Sequence, residues 1–294
     1  MFKGSMVAIA TPMNDDGSVD HESLEGLIEF HIENKTDAII SVGTTGESAT
    51  LNFKEHSEVI KSTLSIVNKR IPVIAGSGAN STSEAIELTE RSKVLGADGC
   101  LLVTPYYNKP TQNGLYEHYK TIADEVSIPQ ILYNVPGRTS VDMLPDTVYR
   151  LSSHPNIVAI KEASGNLERS KDLIEKCADN ISIFTGDDKT SVRDLLLGFK
   201  GNISVTANVA PLDMHNMCKF AMEGNADKAN IINSKLDTLH DNLFIESNPI
   251  PVKWALHRMG LIKKGIRLPL TWLDEKYENI LEKSLYNAGI IARN

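Results

Sequence analysis

What this chain lacks narrows its function before any motif is read. Its three cysteines, Cys100, Cys177 and Cys218, lie far apart and form no C-x-x-C pair. That excludes a disulfide framework and makes a reducing cytoplasm the expected setting. The eight histidines include no H-x-H and no H-E-x-x-H, so a zinc-dependent aldol mechanism has no ligands and no metal is expected. Basic residues are outnumbered: 30 lysines and arginines against 38 aspartates and glutamates leave a net charge of −8. Neither nucleic acid nor an anionic membrane is therefore an expected partner. The N-terminal apolar run is too short for a signal peptide, and no later run could span a bilayer. Gly76-x-Gly78 is followed by Ser81 where a dinucleotide fingerprint wants a third glycine, so that motif carries no cofactor expectation.

What is present reads as an ordinary globular chain of 294 residues, 41% hydrophobic and 23% charged, long enough for one α/β barrel or two smaller domains. Short apolar runs fall at 5–10, 38–42, 72–75, 99–103, 130–133, 157–161, 182–184 and 202–205. From the second onward they recur every roughly 20–35 residues, with helical patterns between them, as βα units do. Ser81-Thr-Ser-Glu84 is an expected capping box, Gly96 an expected helix stop, and Pro145 stands at an expected first turn. Eight units predict a closed (β/α)8 TIM barrel over residues 1–224, with a doubly wound sheet as the structural alternative. Past Gly224 the strand signal fades, and residues 226–243, 251–259 and 273–288 read as helices. Residues 225–294 are thus expected to form a helical C-terminal extension, joined without a low-complexity linker.

In such a barrel the chemistry gathers at the C-terminal ends of the strands. The sixth run, I-V-A-I-K, ends on Lys161. Alternation is expected to place Ile157, Ala159 and Lys161 on one face, with Val158, Ile160 and Glu162 on the other. Small Ala159 leaves room beneath the lysine stem, and apolar surroundings favour a neutral amine able to form a Schiff base with a carbonyl. Taken alone, such a lysine reads first as one snorkelling to solvent. Other strand ends contribute G-T-T-G-E at Gly43–Glu47, T-P-Y-Y-N at Thr104–Asn108, Y-N-V-P-G-R-T at Tyr133–Thr139, and Gly186-Asp187-Asp188. Each has a plain alternative. Gly43 and Gly46 serve a tight turn, Tyr106 and Tyr107 pack at an interface, and Arg138 pairs with a surface acid. The last two strand ends lack a clear glycine-rich pair for a phosphate, which favours a small unphosphorylated carboxylate as substrate.

In combination, G-T-T-G-E-S at Gly43–Ser48, Y-N-V-P-G-R-T and I-K-E-A give the chain a specific likeness that runs from Gly4 to Trp254 and beyond. It resembles the pyruvate-dependent class I aldolases, the family that includes dihydrodipicolinate synthase and N-acetylneuraminate lyase. The resemblance implies that pyruvate forms an imine with Lys161 and condenses with L-aspartate 4-semialdehyde, a step toward diaminopimelate and lysine, with no cofactor beyond that imine. It implies proton relay by Tyr133, Thr44 and Tyr107, the last reaching across a subunit boundary of a homotetramer built as a dimer of dimers. By the same resemblance Thr45 meets the pyruvate carboxylate and Arg138 the semialdehyde carboxylate. Gly186 and Ile203 line the pocket, Ile203 through its carbonyl. Ser48, Ala49, His56, Asn80, Glu84 and Tyr106 match a feedback site for L-lysine. Phe53 departs from that pattern, because lysine-sensitive relatives often carry histidine there. Arg138 favours the synthase over the neuraminate lyase or a keto-sugar-acid aldolase. A non-catalytic keto-acid sensor is the alternative of another class, and it would need no relay.

Overall fold

The structure, a computed structural model, describes residues 2–292. Eight parallel strands close on themselves in chain order: β1 (Gly4–Ala8), β2 (Ala38–Ser41), β3 (Val73–Gly76), β4 (Gly99–Val103), β5 (Gln130–Asn134), β6 (Ile157–Glu162), β7 (Ser182–Thr185) and β8 (Gly201–Ser204). The pairing of β8 with β1 completes the barrel, the predicted architecture. Around it run α1 (His21–Glu33), α2 (Phe53–Val67), α3 (Thr82–Leu95), α4 (Gln112–Glu125), the short α5 (Pro136–Thr139), α6 (Pro145–Leu151), α7 (Leu167–Cys177), α8 (Ser191–Leu197) and α9 (Pro211–Met222). Three helices follow: α10 (Ala226–Asn242), α11 (Ile250–Arg258) and α12 (Glu275–Asn287). Among the described residues no helix is long and apolar enough to cross a membrane.

The strands form because nearly every side chain in them is buried on one face or the other, so continuous β-branched runs satisfy both. Met6, Ile40, Ile74, Leu101, Ile131, Ala159, Phe184 and Ile203 fill the barrel interior. Val7, Ile39, Val73, Leu102, Leu132, Ile160 and Ile183 turn outward to the helices. All three cysteines are buried and unpaired. Burial pushes the Cys100 thiol up to about 12 and the Cys177 thiol up to about 11, so both behave as small core residues.

Two expectations change. The expected facing of Ile157 is wrong: Ile157 packs in the outer layer while Ala159 lies in the interior. Gln130 stands opposite Ile157 but Ile131 stands opposite Ala159, so Val158 is one residue too many. Such an insertion resets the alternation, and from Ala159 onward it carries Lys161 inward. The capping box at α3 is also only half made. Ser81 accepts from the Glu84 backbone N–H, while the Glu84 side chain lines a cavity instead. A full reciprocal box stands one helix earlier, between Asn52 and Glu55. Gly96 closes α3 at φ +96°, and Pro145 opens α6, both as expected.

Candidate active site

The ends of β5 and β6 fix the centre of the site. Their register sets Tyr133 opposite Lys161 and Asn134 opposite Glu162. Tyr133 and Lys161 therefore face inward together, and the next residue on each strand faces out. Lys161 is only 6% exposed, and its Nζ lies 4.3 Å from the centroid of the Tyr133 ring. On its other side the stem runs over Gly186, where an added Cβ would meet Lys161 Cε at 2.4 Å. Glycine is required there by the lysine, not by backbone conformation.

Glu162 turns away from the lysine, as expected. Its Oε2 accepts from Arg169 Nε at 2.8 Å and from Asn134 Nδ2 at 3.0 Å. Arg169 also donates to Asp142 Oδ1 at 2.6 Å, and Asn134 Nδ2 to the same oxygen at 3.0 Å. This network locks the two strand ends from behind, so the spacing of Tyr133 and Lys161 does not depend on their own contacts.

A cavity of about 200 Å³ opens over Lys161 and is lined by Thr44, Thr45, Tyr133, Arg138 and Gly186, all predicted site residues. Asn248 joins them from the segment before α11. Its Nδ2 donates to Thr45 Oγ1 at 3.0 Å, and its carbonyl accepts from Arg138 Nη2 at 3.1 Å. One residue of the C-terminal extension thus holds both polar side chains expected to meet carboxylates. Arg138 pairs with a main-chain carbonyl, not with the surface acid of its plain reading. Asp187 and Phe244 complete this wall. Neither Asn248 nor Phe244 is among the site residues expected from the sequence.

A larger cavity of about 490 Å³ shares Thr44, Tyr133, Arg138 and Asn248 with the first and extends past Ser48, Ala49, Phe53, His56, Glu84 and Tyr106. His56 Nε2 bonds the Gly76 carbonyl at 2.9 Å, so that nitrogen carries the proton. Burial lowers the affinity of this ring for a second one. Burial and the nearby Glu84 raise the Tyr106 phenol. Asn80 borders this group without lining the cavity, its Nδ2 donating to the Tyr106 carbonyl at 3.2 Å.

Beneath this wall lies a buried ion pair, Lys253 of α11 with Glu47, whose other oxygen accepts from the Arg267 backbone N–H at 3.2 Å. Burial depresses the Lys253 ammonium, and Glu47 works against that. Gly46 lies in a turn, as its plain reading has it, and close packing confines it to glycine: a Cβ there would sit 2.9 Å from Val42 Cα. With Asn80, two further predicted residues stand outside both cavities. Ile203 packs in the barrel interior. Tyr107 is 91% exposed at φ +73°, while Lys161 and Tyr133 are buried.

Known proteins resemble this chain over its whole length. The model of the Dihydrodipicolinate synthetase family matches residues 1–288. The 4-hydroxy-tetrahydrodipicolinate synthase of Stutzerimonas stutzeri is 59% identical over 99% of this chain and 100% of its own length. Among solved structures, dihydrodipicolinate synthase from Acinetobacter baumannii complexed with pyruvate is 57% identical, with a TM-score of 0.98 over 99% of this chain and 100% of that one. The enzyme from Cyanidioschyzon merolae with lysine bound is 40% identical, with a TM-score of 0.95 over 99% of each chain. The chain belongs to the dihydrodipicolinate synthetase family.

Proposed function

We propose that this chain is a 4-hydroxy-tetrahydrodipicolinate synthase, a lyase that condenses pyruvate with L-aspartate 4-semialdehyde on the route to diaminopimelate and lysine. One observation carries the reading: the Lys161 amine is enclosed between Tyr133 and Gly186 in a cavity whose rim holds Arg138. The amine adds to the keto carbon of pyruvate and water leaves, giving a protonated imine. That imine is the electron sink and no separate cofactor is needed. A methyl proton departs, and the resulting enamine carbon bonds the aldehyde carbon, whose oxygen takes up a proton. The amino group of the semialdehyde then attacks the imine carbon. Lys161 leaves as a free amine, taking one proton from the attacking nitrogen, whose second proton is released to solvent as the cyclic imine forms.

Tyr133 and Thr44 pass these protons, with Tyr107 supplied by a second copy of the chain. An aromatic so exposed on a strained turn favours that arrangement, in a tetramer of paired dimers. Thr45 receives the pyruvate carboxylate and Arg138 that of the semialdehyde, a task suited to a planar guanidinium. Gly186 gives the lysine stem its room, and Ile203 contributes its main-chain carbonyl. Free L-lysine binds in the larger cavity among Ser48, Ala49, His56, Glu84 and Tyr106, with Asn80 at the margin, and Phe53 in the wall weakens it. The enzyme works in the cytoplasm.

Borohydride reduction with pyruvate, followed by peptide mass mapping, tests the imine. The added mass belongs on the peptide carrying Lys161, and its absence refutes the mechanism. Parallel assays should give condensation with L-aspartate 4-semialdehyde and none with N-acetylmannosamine.

A further inference from the structure

If the reading above holds, on which this inference rests, the second substrate enters with two charges, a carboxylate and an α-ammonium group. Arg138 answers the first. Among the described residues lining the cavity over Lys161, Asp187 alone is acidic. It follows Gly186 directly, so it stands at the same strand end as the lysine stem. Its backbone is pinned there by Thr185, whose Oγ1 accepts from the Asp187 N–H at 3.2 Å.

The neighbouring acid is already committed. Asp188 is buried and accepts from Asn202 Nδ2 at 2.8 Å and from the Val205 and Thr206 N–H groups at 2.9 Å each. Asp187 Oδ1 accepts from the Lys189 N–H at 3.1 Å, and its carboxylate also accepts from the Thr190 hydroxyl. Nearby cations are engaged elsewhere. Lys189 Nζ holds Asp237 and Asp241 at 2.8 and 2.6 Å, and Arg193 Nη2 holds Asp194 at 2.9 Å. Burial, then the charges of Asp188 and Asp194, raise the Asp187 carboxyl above the ordinary range. Across the cavity Arg138 is taken by the substrate carboxylate and Lys161 by the imine, so a half-buried anion with like charges behind it still gains from a cationic ligand.

We infer that Asp187 receives the α-ammonium group of the incoming aldehyde and so selects amino-bearing semialdehydes over their des-amino analogues. With Arg138 taking the carboxylate, two opposite charges would orient the substrate, and transfer of one ammonium proton to the Asp187 carboxylate would free the nitrogen lone pair for attack on the imine carbon.

The rival reading gives Asp187 only a turn, its Oδ1 capping the backbone two residues on. Asp187→Asn separates the two, because asparagine keeps that acceptor and loses the charge. Two constants are measured with pyruvate saturating: the KM for L-aspartate 4-semialdehyde and the inhibition constant of succinic semialdehyde, the same molecule without its amino group. The variant should raise the first by roughly 10- to 100-fold, as loss of a charged hydrogen bond does, and leave the second unchanged. Neither constant depends on the fraction of chains that fold. Equal change in both, or no change in the KM, overturns the inference. Failure of the wild-type chain to condense the amino aldehyde overturns the functional reading and the inference with it, and is seen before any variant is made.

Discussion

Gly186→Ala adds one methyl group, and the structure says where it lands. The new Cβ would lie 2.4 Å from Lys161 Cε, 3.1 Å from Lys161 Cγ and 2.9 Å from Ala163 Cβ. Carbon atoms settle near 3.5–4.0 Å, so the lysine stem must move by about 1 Å or more. The stem is flexible and the glycine is not in the left-handed region. The fold should therefore absorb the change at a cost of about 1–3 kcal/mol for overpacking, partly offset by about 0.4–1 kcal/mol from a stiffer unfolded chain. Catalysis should not absorb it. The displaced Nζ loses its place 4.3 Å from the Tyr133 ring, and misplacement by ~1 Å can cost about 10²-fold. The assay is kcat/KM for pyruvate beside a urea titration and borohydride trapping. A cooperative fold, a slower rate of adduct formation and a kcat/KM down about 10²-fold are expected. Gly26→Ala is the control, since nothing lies within 4 Å of a Cβ there. Wild-type turnover by Gly186→Ala would refute the argument that lysine placement explains the glycine.

Tyr133→Phe keeps the ring that packs in the barrel interior and removes only the hydroxyl; kcat should fall about 10²–10⁴-fold with an unchanged melting temperature. Lys253→Met leaves Glu47 buried without its cation, and urea unfolding should register a loss of about 3–5 kcal/mol. His31 is fully buried, and burial lowers its pKa from 6.5 to about 3. Between those values the unfolded chain binds a proton that the folded chain does not, so stability is complete above the unfolded value and declines as pH falls, by about 1.4 kcal/mol per unit. His31→Asn, which keeps a partner for the Thr36 hydroxyl, should flatten that part of the acid limb in denaturation curves taken across pH 3–6.5.

The strands were legible because a parallel barrel buries both faces of each, and continuous runs such as 99–103 can satisfy nothing else; all eight lie within two residues of their expected bounds. The insertion at Val158 was not legible, since every residue from Ile157 to Ile160 is apolar and either facing suits it. The same limit separates the visible part of the site from the hidden part. Thr44, Thr45, Tyr133, Arg138, Lys161 and Gly186 stand at strand ends, where the fold itself says chemistry gathers. Asn248 stands in a turn 203 positions from Thr45, and Lys253 reads as one more surface lysine until Glu47 is found against it. Their significance comes entirely from partners distant in the chain, which periodicity and local motifs do not encode. Tyr107 carries this one step further. Local pattern puts it at a strand end and the fold leaves it 91% exposed, so the relay role proposed for it requires a second copy of the chain. The proposed reactive amine is thus read from a strand, the residues proposed to meet carboxylates from a fold, and the last proposed member of the relay only from an assembly.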